Sequence, residues 1–273
     1  MQPHGGPSQK IALPNIGYVI AVASGKGGVG KSTAAVNLAL ALKMQNTRVG
    51  LLDADIYGPS VPRMMGAADV IDPNTTPLPL ERYGVKLMSM GFLVNPSQAV
   101  IWRGPMVHKA ITDFLTRIDW GPLDFLVTDL PPGTGDAQLS LSQTAPLAGA
   151  VIVTTPQEAS PTVALRGLEM FRQVRVPILG VVENMSYLAG PGGQRTHLFG
   201  QGGGRKLAAT AGVPFLGEVP IDPRVTECGD AGDPVVHKYP DSDVAKAYRT
   251  VAAAVVRELQ KAGPEPGLPE VQL

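Results

Sequence analysis

A single cysteine, Cys228, occurs in the 273 residues. No disulfide can form within the chain, and the sequence predicts a reducing compartment, the cytoplasm. Neither sign of charge predominates, since 23 Lys and Arg face 23 Asp and Glu. The basic excess that grips nucleic acid regardless of sequence is therefore missing. No apolar run approaches the ~18–20 residues that cross a bilayer. Met1–Pro14 is polar and Gly/Pro-rich, without the charged-then-apolar order of a signal peptide. The expectation is a soluble cytoplasmic protein with neither a nucleic-acid nor a membrane partner.

What is present is the composition of a globular protein: 44% hydrophobic, 17% charged, mean hydropathy +0.09. The 32 glycines and 26 prolines imply many turns. Strands are predicted at Tyr18–Ser24, Arg48–Asp53, Lys86–Ser89, Asp124–Asp129, Ala150–Thr154, Ile178–Met185 and, shorter, Phe215–Val219. Several are continuous β-branched runs, such as Val151-Ile152-Val153, which suits strands buried on both faces of a parallel sheet. Helices are predicted at Lys31–Met44, Pro105–Arg117, Asp136–Thr144, Ser160–Val174, Gly203–Ala211 and Asp243–Lys261. Ser160-Pro161 reads as an N-cap with proline at the first helical position. Gly263-Pro264 reads as the stop of the last helix. This alternation predicts one doubly wound, mostly parallel α/β domain over residues 18–263. Residues 1–17 are read as a flexible N-terminal segment and 264–273 as a loose tail. Gly66–Arg82 and Leu188–Gly204 read as irregular.

Gly25-Lys26-Gly27-Gly28-Val29-Gly30-Lys31-Ser32 follows a hydrophobic strand and opens an Ala/Leu-rich helix, the setting a phosphate loop needs. Glycines let backbone N–H groups curl around phosphate oxygens, and the helix N-terminus adds positive potential. Lys31 can reach the β/γ-phosphates and the Ser32 hydroxyl can ligate Mg²⁺. Thr33 completes the loop. The loop predicts MgATP binding in a P-loop NTPase fold. Lys26, a second lysine in the loop, is either a solvated charge or a group that neutralises transition-state charge.

Leu51-Leu52-Asp53-Ala54-Asp55 ends the second strand in two carboxylates aimed at the crevice where α/β folds bind ligands. Asp53 and Asp55 are expected to share a face, one holding a magnesium-bound water and the other orienting the attacking water. A helix-capping pair is the alternative. Asp124–Asp129 ends another buried strand in a carboxylate, as the second magnesium-site motif requires. Leu130-Pro131-Pro132-Gly133-Thr134-Gly135-Asp136 then forms a turn able to sense the γ-phosphate.

Together these segments resemble the Mrp/ApbC-type ATPases, iron–sulfur cluster carriers in the wider group of MinD, ParA and nitrogenase iron protein. Gly25–Ser32 matches that group's deviant Walker A motif. Leu52–Ser60, Trp102-Arg103-Gly104-Pro105-Met106, Asp129–Asp136, Glu183-Asn184-Met185-Ser186-Tyr187 and Phe199–Gly204 are closer identifiers. The resemblance covers Val19 to Val236. It implies an ATP-hydrolysing homodimer that delivers iron–sulfur clusters to apoprotein clients. Lys26 would act across the dimer and Asp55 would position the lytic water. Asp53, Asp129 and Ser32 would serve Mg²⁺, and Asn184 would hydrogen-bond the adenine, with Pro220–Arg224 nearby.

The sequence departs from this pattern at the cluster ligands. The cysteine pair that many relatives carry after Asn-Met-Ser-Tyr is replaced by Gly190 and Gly193. Cys228, read as lying in a loop after Pro223-Arg224-Val225-Thr226, is either an unremarkable small residue or the one remaining thiolate candidate for a cluster. His4, His108, His197 and His237 are scattered without metal-ligand spacing. Trp102 and Tyr187 are assigned to core or interface. Two other functions stay open: a positioning switch of the MinD/ParA type, and an ATPase regulator or scaffold without a cluster. The Gly263–Gly267 ending offers no basic amphipathic helix for a membrane switch.

Overall fold

The computed structural model describes residues 11–55, 58–67, 78–93, 104–133, 138, 142, 144–157 and 161–261. In chain order these form β1 (Ile16–Ala23), α1 (Lys31–Lys43), β2 (Val49–Asp53), α2 (Val61–Met64), β3 (Leu80–Arg82) and β4 (Val85–Ser89). A 3₁₀ turn (Met90–Leu93), α3 (Gly104–Thr116), β5 (Leu123–Asp129), β6 (Leu147–Thr154), α4 (Pro161–Gln173) and β7 (Ile178–Glu183) follow. The hairpin β8 (Leu188–Ala189) and β9 (Arg195–Thr196) leads to α5 (Gly203–Ala211) and β10 (Phe215–Glu218). The last three helices are α6 (Pro223–Ala231), α7 (Val235–Lys238) and α8 (Asp243–Lys261).

Eight strands make one sheet in the order β10-β7-β6-β1-β5-β2-β4-β3. Every neighbouring pair is parallel except β3 with β4. The alternation of side chains along β1 divides two cores. Ile20 and Val22 join α1 and α8 on one face, whereas Val19, Ala21 and Ala23 join α3, α4 and α5 on the other. Because both faces are covered, the strands carry no polar alternation, which is why they read as unbroken apolar runs. Sequence order reverses around β1, which lies between β6 and β5, so the crevice for a ligand opens beyond its C-terminal end.

The predicted strands and helices are present with ends shifted by a few residues, and α5 and α8 match their predicted limits. β1 starts at Ile16, and the Ile11 N–H donates to the Thr144 carbonyl at 3.1 Å, so residues 11–17 join the body rather than a flexible segment. Of Asp136–Thr144, the described Gln138, Ser142 and Thr144 are helical. Ser160, Trp102-Arg103, Met1–Lys10 and residues 262–273 lie outside the described residues. The stretch after β10 is helical where a loop was expected. Asp222 caps α6 by accepting the Arg224 N–H at 2.9 Å, Pro223 takes the first turn, and Gly232 closes the helix at φ 72°.

Candidate functional site

β1 ends buried, and the chain turns through Gly25–Gly30 into α1. The Ser24 hydroxyl donates to the Lys26 carbonyl at 2.9 Å, and the Gly133 N–H donates to the Ser24 carbonyl at 3.2 Å. The turn after β5 is thereby tied to the loop. Gly30 caps α1 in the left-handed region at φ 80°. A Cβ on Gly27, Gly28 or Gly133 would meet nothing within 4 Å, so these three glycines border open space. No side chain caps α1 and its first turn carries no acidic residue. Its leading N–H groups are thus left for an anion from outside the chain. Lys26 is exposed, whereas Val29 and Lys31 are buried and Ser32 and Thr33 are half-buried.

Parallel register sets the carboxylates side by side, with Asp53 the partner of Asp129 across β2 and β5. Both are fully buried. Lys31 Nζ donates to Asp129 Oδ1 at 2.5 Å, approaches Asp55 Oδ2 at 3.8 Å, and lies 3.3 Å from Ser32 Oγ. Burial pushes the Asp129 carboxyl up, opposed chiefly by the Lys31 ammonium. Its other oxygen, Oδ2, is buried without a hydrogen-bond partner among the described residues. An orphaned carboxylate oxygen beside a serine hydroxyl at the mouth of a phosphate loop fits a Mg²⁺ ion or its water shell.

Asp53 and Asp55 are related differently from the expected alternation. The strand ends at Asp53, and Asp53 Oδ1 accepts the Asp55 N–H at 3.0 Å across a short side-chain turn. Asp53 Oδ2 accepts the Ser89 hydroxyl at 2.9 Å. Burial first and the Asp129 charge second push the Asp53 carboxyl up to about 7, against Ser89, the Asp55 N–H and Lys31. Asn184 follows β7 and packs on the back of the loop, its Nδ2 donating to the Val29 carbonyl at 2.9 Å. A Cβ on Gly30 would fall 2.3 Å from that nitrogen.

Sequence comparison agrees with this geometry. The family described as NUBPL iron-transfer P-loop NTPase, of the ParA group, matches residues 15–256. The chain belongs to that family. It is 49% identical over 271 residues to the iron–sulfur cluster transfer protein NUBPL of Dictyostelium discoideum, covering 95% of this chain and 84% of the relative. It is 50% identical over 246 residues to the iron–sulfur cluster carrier protein of Aquifex aeolicus, covering 88% and 67%. Among solved structures, a nucleotide-binding protein from Archaeoglobus fulgidus in complex with ADP is 42% identical with TM-score 0.71, covering 83% of this chain and 90% of that one. The cell-division ATPase MinD of Pyrococcus furiosus shares the fold at TM-score 0.66 and 23% identity, covering 88% and 99%.

The structure gathers Lys31, Ser32, Asp53, Asp55, Asp129 and Asn184 around the loop; it does not bring Cys228 there. Cys228 lies on α6 rather than in a loop, and it is 1% exposed, within the apolar core that α1 and α8 share. Burial pushes its thiol up, away from the thiolate that binds metal. A buried thiol does not reach a cluster shared across a protomer surface. Gly190 and Gly193 lie on the turn between β8 and β9, Gly190 half-buried and Gly193 exposed. Among the described residues, no three His, Cys, Asp or Glu side chains gather as a metal site. Tyr187 lies beneath the Arg195 guanidinium, 4.0 Å from its ring centroid. Two residues escaped sequence reasoning: Ser89, and Glu183, whose buried carboxylate accepts the Ser186 hydroxyl and the Gly204 N–H at 2.6 Å each. Strand-end position was the available signal for both, since each closes a strand predicted from its apolar run.

Proposed function

We propose that this chain is a MgATP-hydrolysing homodimer that serves the transfer of iron–sulfur clusters to apoproteins. The observation that carries the reading is the buried Lys31–Asp129 pair with Asp55 beside it at the mouth of the phosphate loop. Lys31 exchanges its carboxylate for the β/γ-phosphates, and the loop N–H groups and the uncapped end of α1 hold their oxygens. Bound magnesium neutralises phosphate charge, with Ser32 and Asp129 as the residues to hold it and Asp53 behind them. Asp55 orients the attacking water. Asn184 keeps an amide oxygen for the exocyclic amine of adenine. Lys26, exposed on the loop, reaches a partner protomer's phosphates as arginine fingers do.

Cluster transfer enters from family membership and from the names of the relatives at about half identity. The residues do not supply the ligands that a bridging cluster takes from a cysteine pair, because Gly190 and Gly193 stand at those positions and Cys228 is buried. That observation favours, as the second reading, an ATPase that regulates cluster assembly without carrying the cluster itself.

Anaerobic reconstitution with iron and sulfide, followed by transfer to an apo-ferredoxin with and without ATP, tests the proposal. A stoichiometric cluster that moves to the acceptor supports the carrier. ATP hydrolysis without bound iron supports the regulator, and absence of hydrolysis overturns both.

A further inference from the structure

β4, β2 and β5 are parallel neighbours whose last residues are in register, so Ser89, Asp53 and Asp129 stand in one row along the edge of the crevice. All three are fully buried. The Ser89 hydroxyl donates to Asp53 Oδ2 at 2.9 Å, and Ser89 Oγ accepts the Gly91 N–H at 2.9 Å. Asp53 Oδ1 accepts the Asp55 N–H at 3.0 Å. These bonds make one chain from the exit of β4 to the backbone of Asp55. A second contact runs beside it. A Cβ on Gly91 would lie 3.0 Å from the Pro59 side chain, so the turn after β4 rests directly on Pro59. The exit of β4 therefore touches the chain on both sides of Asp55, at Asp53 through Ser89 and at Pro59 through Gly91.

We propose that Ser89 is a positioning residue for nucleotide hydrolysis, holding the Asp53 carboxylate so that Asp53 holds Asp55 in place. The inference rests on the reading of Asp55 as the residue that orients the attacking water. The terminal torsion of an aspartate is broad and weakly preferred, so its carboxylate takes the angle its partners set. Ser89 supplies the partner on one oxygen, and the other oxygen is then aimed at the Asp55 N–H. Without the hydroxyl, Asp53 is free to turn toward the Lys31 ammonium, whose field it already feels. The Asp55 N–H is then released, and its carboxylate leaves the position 3.8 Å from Lys31. Displacements of about an ångström in an orienting group cost catalysis up to roughly 100-fold.

The test compares Ser89→Ala, Ser89→Thr and Asp55→Asn in the full chain by steady-state ATP hydrolysis and by direct binding of a fluorescent ATP analogue. Ser89→Ala is expected to lower kcat by about 10- to 100-fold while KM and nucleotide affinity change less than about 3-fold. Ser89→Thr, which returns the hydroxyl, restores kcat to within several-fold. Thermal unfolding with bound analogue checks that both variants are folded. A Ser89→Ala kcat within about two-fold of wild type, beside an inactive Asp55→Asn, overturns the positioning role and leaves Asp55 standing. So does a loss of kcat matched by an equal loss of affinity, the mark of a structural role. Full activity in Asp55→Asn overturns the reading of Asp55, and this inference with it.

Discussion

Two glycines of one loop are expected to fail in opposite ways when each becomes alanine. Gly30 is left-handed at φ 80° and ψ 29°, a conformation that costs an L-residue roughly 1–2 kcal/mol. Its new Cβ would fall 2.3 Å from Asn184 Nδ2, so the amide must move and its bond to the Val29 carbonyl is lost. A buried hydrogen bond with one partner displaced costs about 1–2 kcal/mol more. Gly30→Ala is therefore expected to destabilise the fold by about 2–4 kcal/mol. For a domain of this size that lowers the unfolding midpoint by on the order of 10 °C. At Gly27 an added Cβ would meet nothing within 4 Å, and the backbone there is not left-handed. Gly27→Ala should leave stability within ~0.5 kcal/mol. Its methyl instead enters the open space beside the loop, and if the nucleotide phosphates occupy that space, affinity should fall by more than about tenfold. Urea unfolding and binding of a fluorescent ATP analogue separate the two effects. A Gly30→Ala protein as stable as wild type, or a Gly27→Ala protein that binds normally, would refute the loop geometry.

Removing Lys31 as Lys31→Ala abolishes the bond to Asp129 and should cost about 3 kcal/mol of stability together with nucleotide binding; calorimetric titration showing unchanged ATP affinity would count against the phosphate-loop role. The nucleotide-free, magnesium-free protein should lose stability as pH rises. Asp53 titrates near 7 in the fold against 3.8 in the open chain, so the folded state holds the extra proton between those values and loses that advantage as pH climbs through them. Thermal midpoints from about pH 5 to 8 measure the slope, and Asp53→Asn should reduce it, Asp129, which burial also pushes up, contributing in the same sense. Asp124, held below the usual carboxylate range by Arg48, acts in the opposite sense but at lower pH, outside that window. Glu183→Ala leaves the Gly204 N–H and Ser186 hydroxyl unpaired and should cost about 3 kcal/mol, while Glu183→Gln, whose amide oxygen still accepts the Gly204 N–H and whose NH2 donates to a reversed Ser186 hydroxyl, should cost about 1 kcal/mol; equal losses in urea unfolding would contradict the bonding pattern.

The sheet was legible because strands covered on both faces announce themselves as apolar runs, and the loop because its glycines and lysines sit at a strand-to-helix junction. Asp53 and Asp129 were legible as strand-end carboxylates, and the parallel register then makes them neighbours. Shorter and more exposed elements were not. β8 and β9 have two exposed residues each and no periodicity to read. α6 carried its signals in Asp222-Pro223 and Gly232, yet buries only Cys228, so no apolar stripe drew attention to it. Ser89 meets Asp53 from 36 residues away, and Gly204 meets Glu183 from 21. Such polar contacts arise from register and packing between distant segments, which no local pattern encodes.

Lys26 offers the most direct test of paired hydrolysis, because it is exposed on the loop and, among the described residues, forms no ion pair. ATP turnover should be followed against protein concentration for the wild type and for Lys26→Ala, with affinity for the ATP analogue measured in parallel. The prediction is a wild-type rate per protomer that rises with concentration as dimers form, and a variant that binds as tightly but loses most of its turnover. Wild-type turnover in Lys26→Ala, or a rate per protomer independent of concentration down to the monomer, would contradict hydrolysis across two copies of the chain.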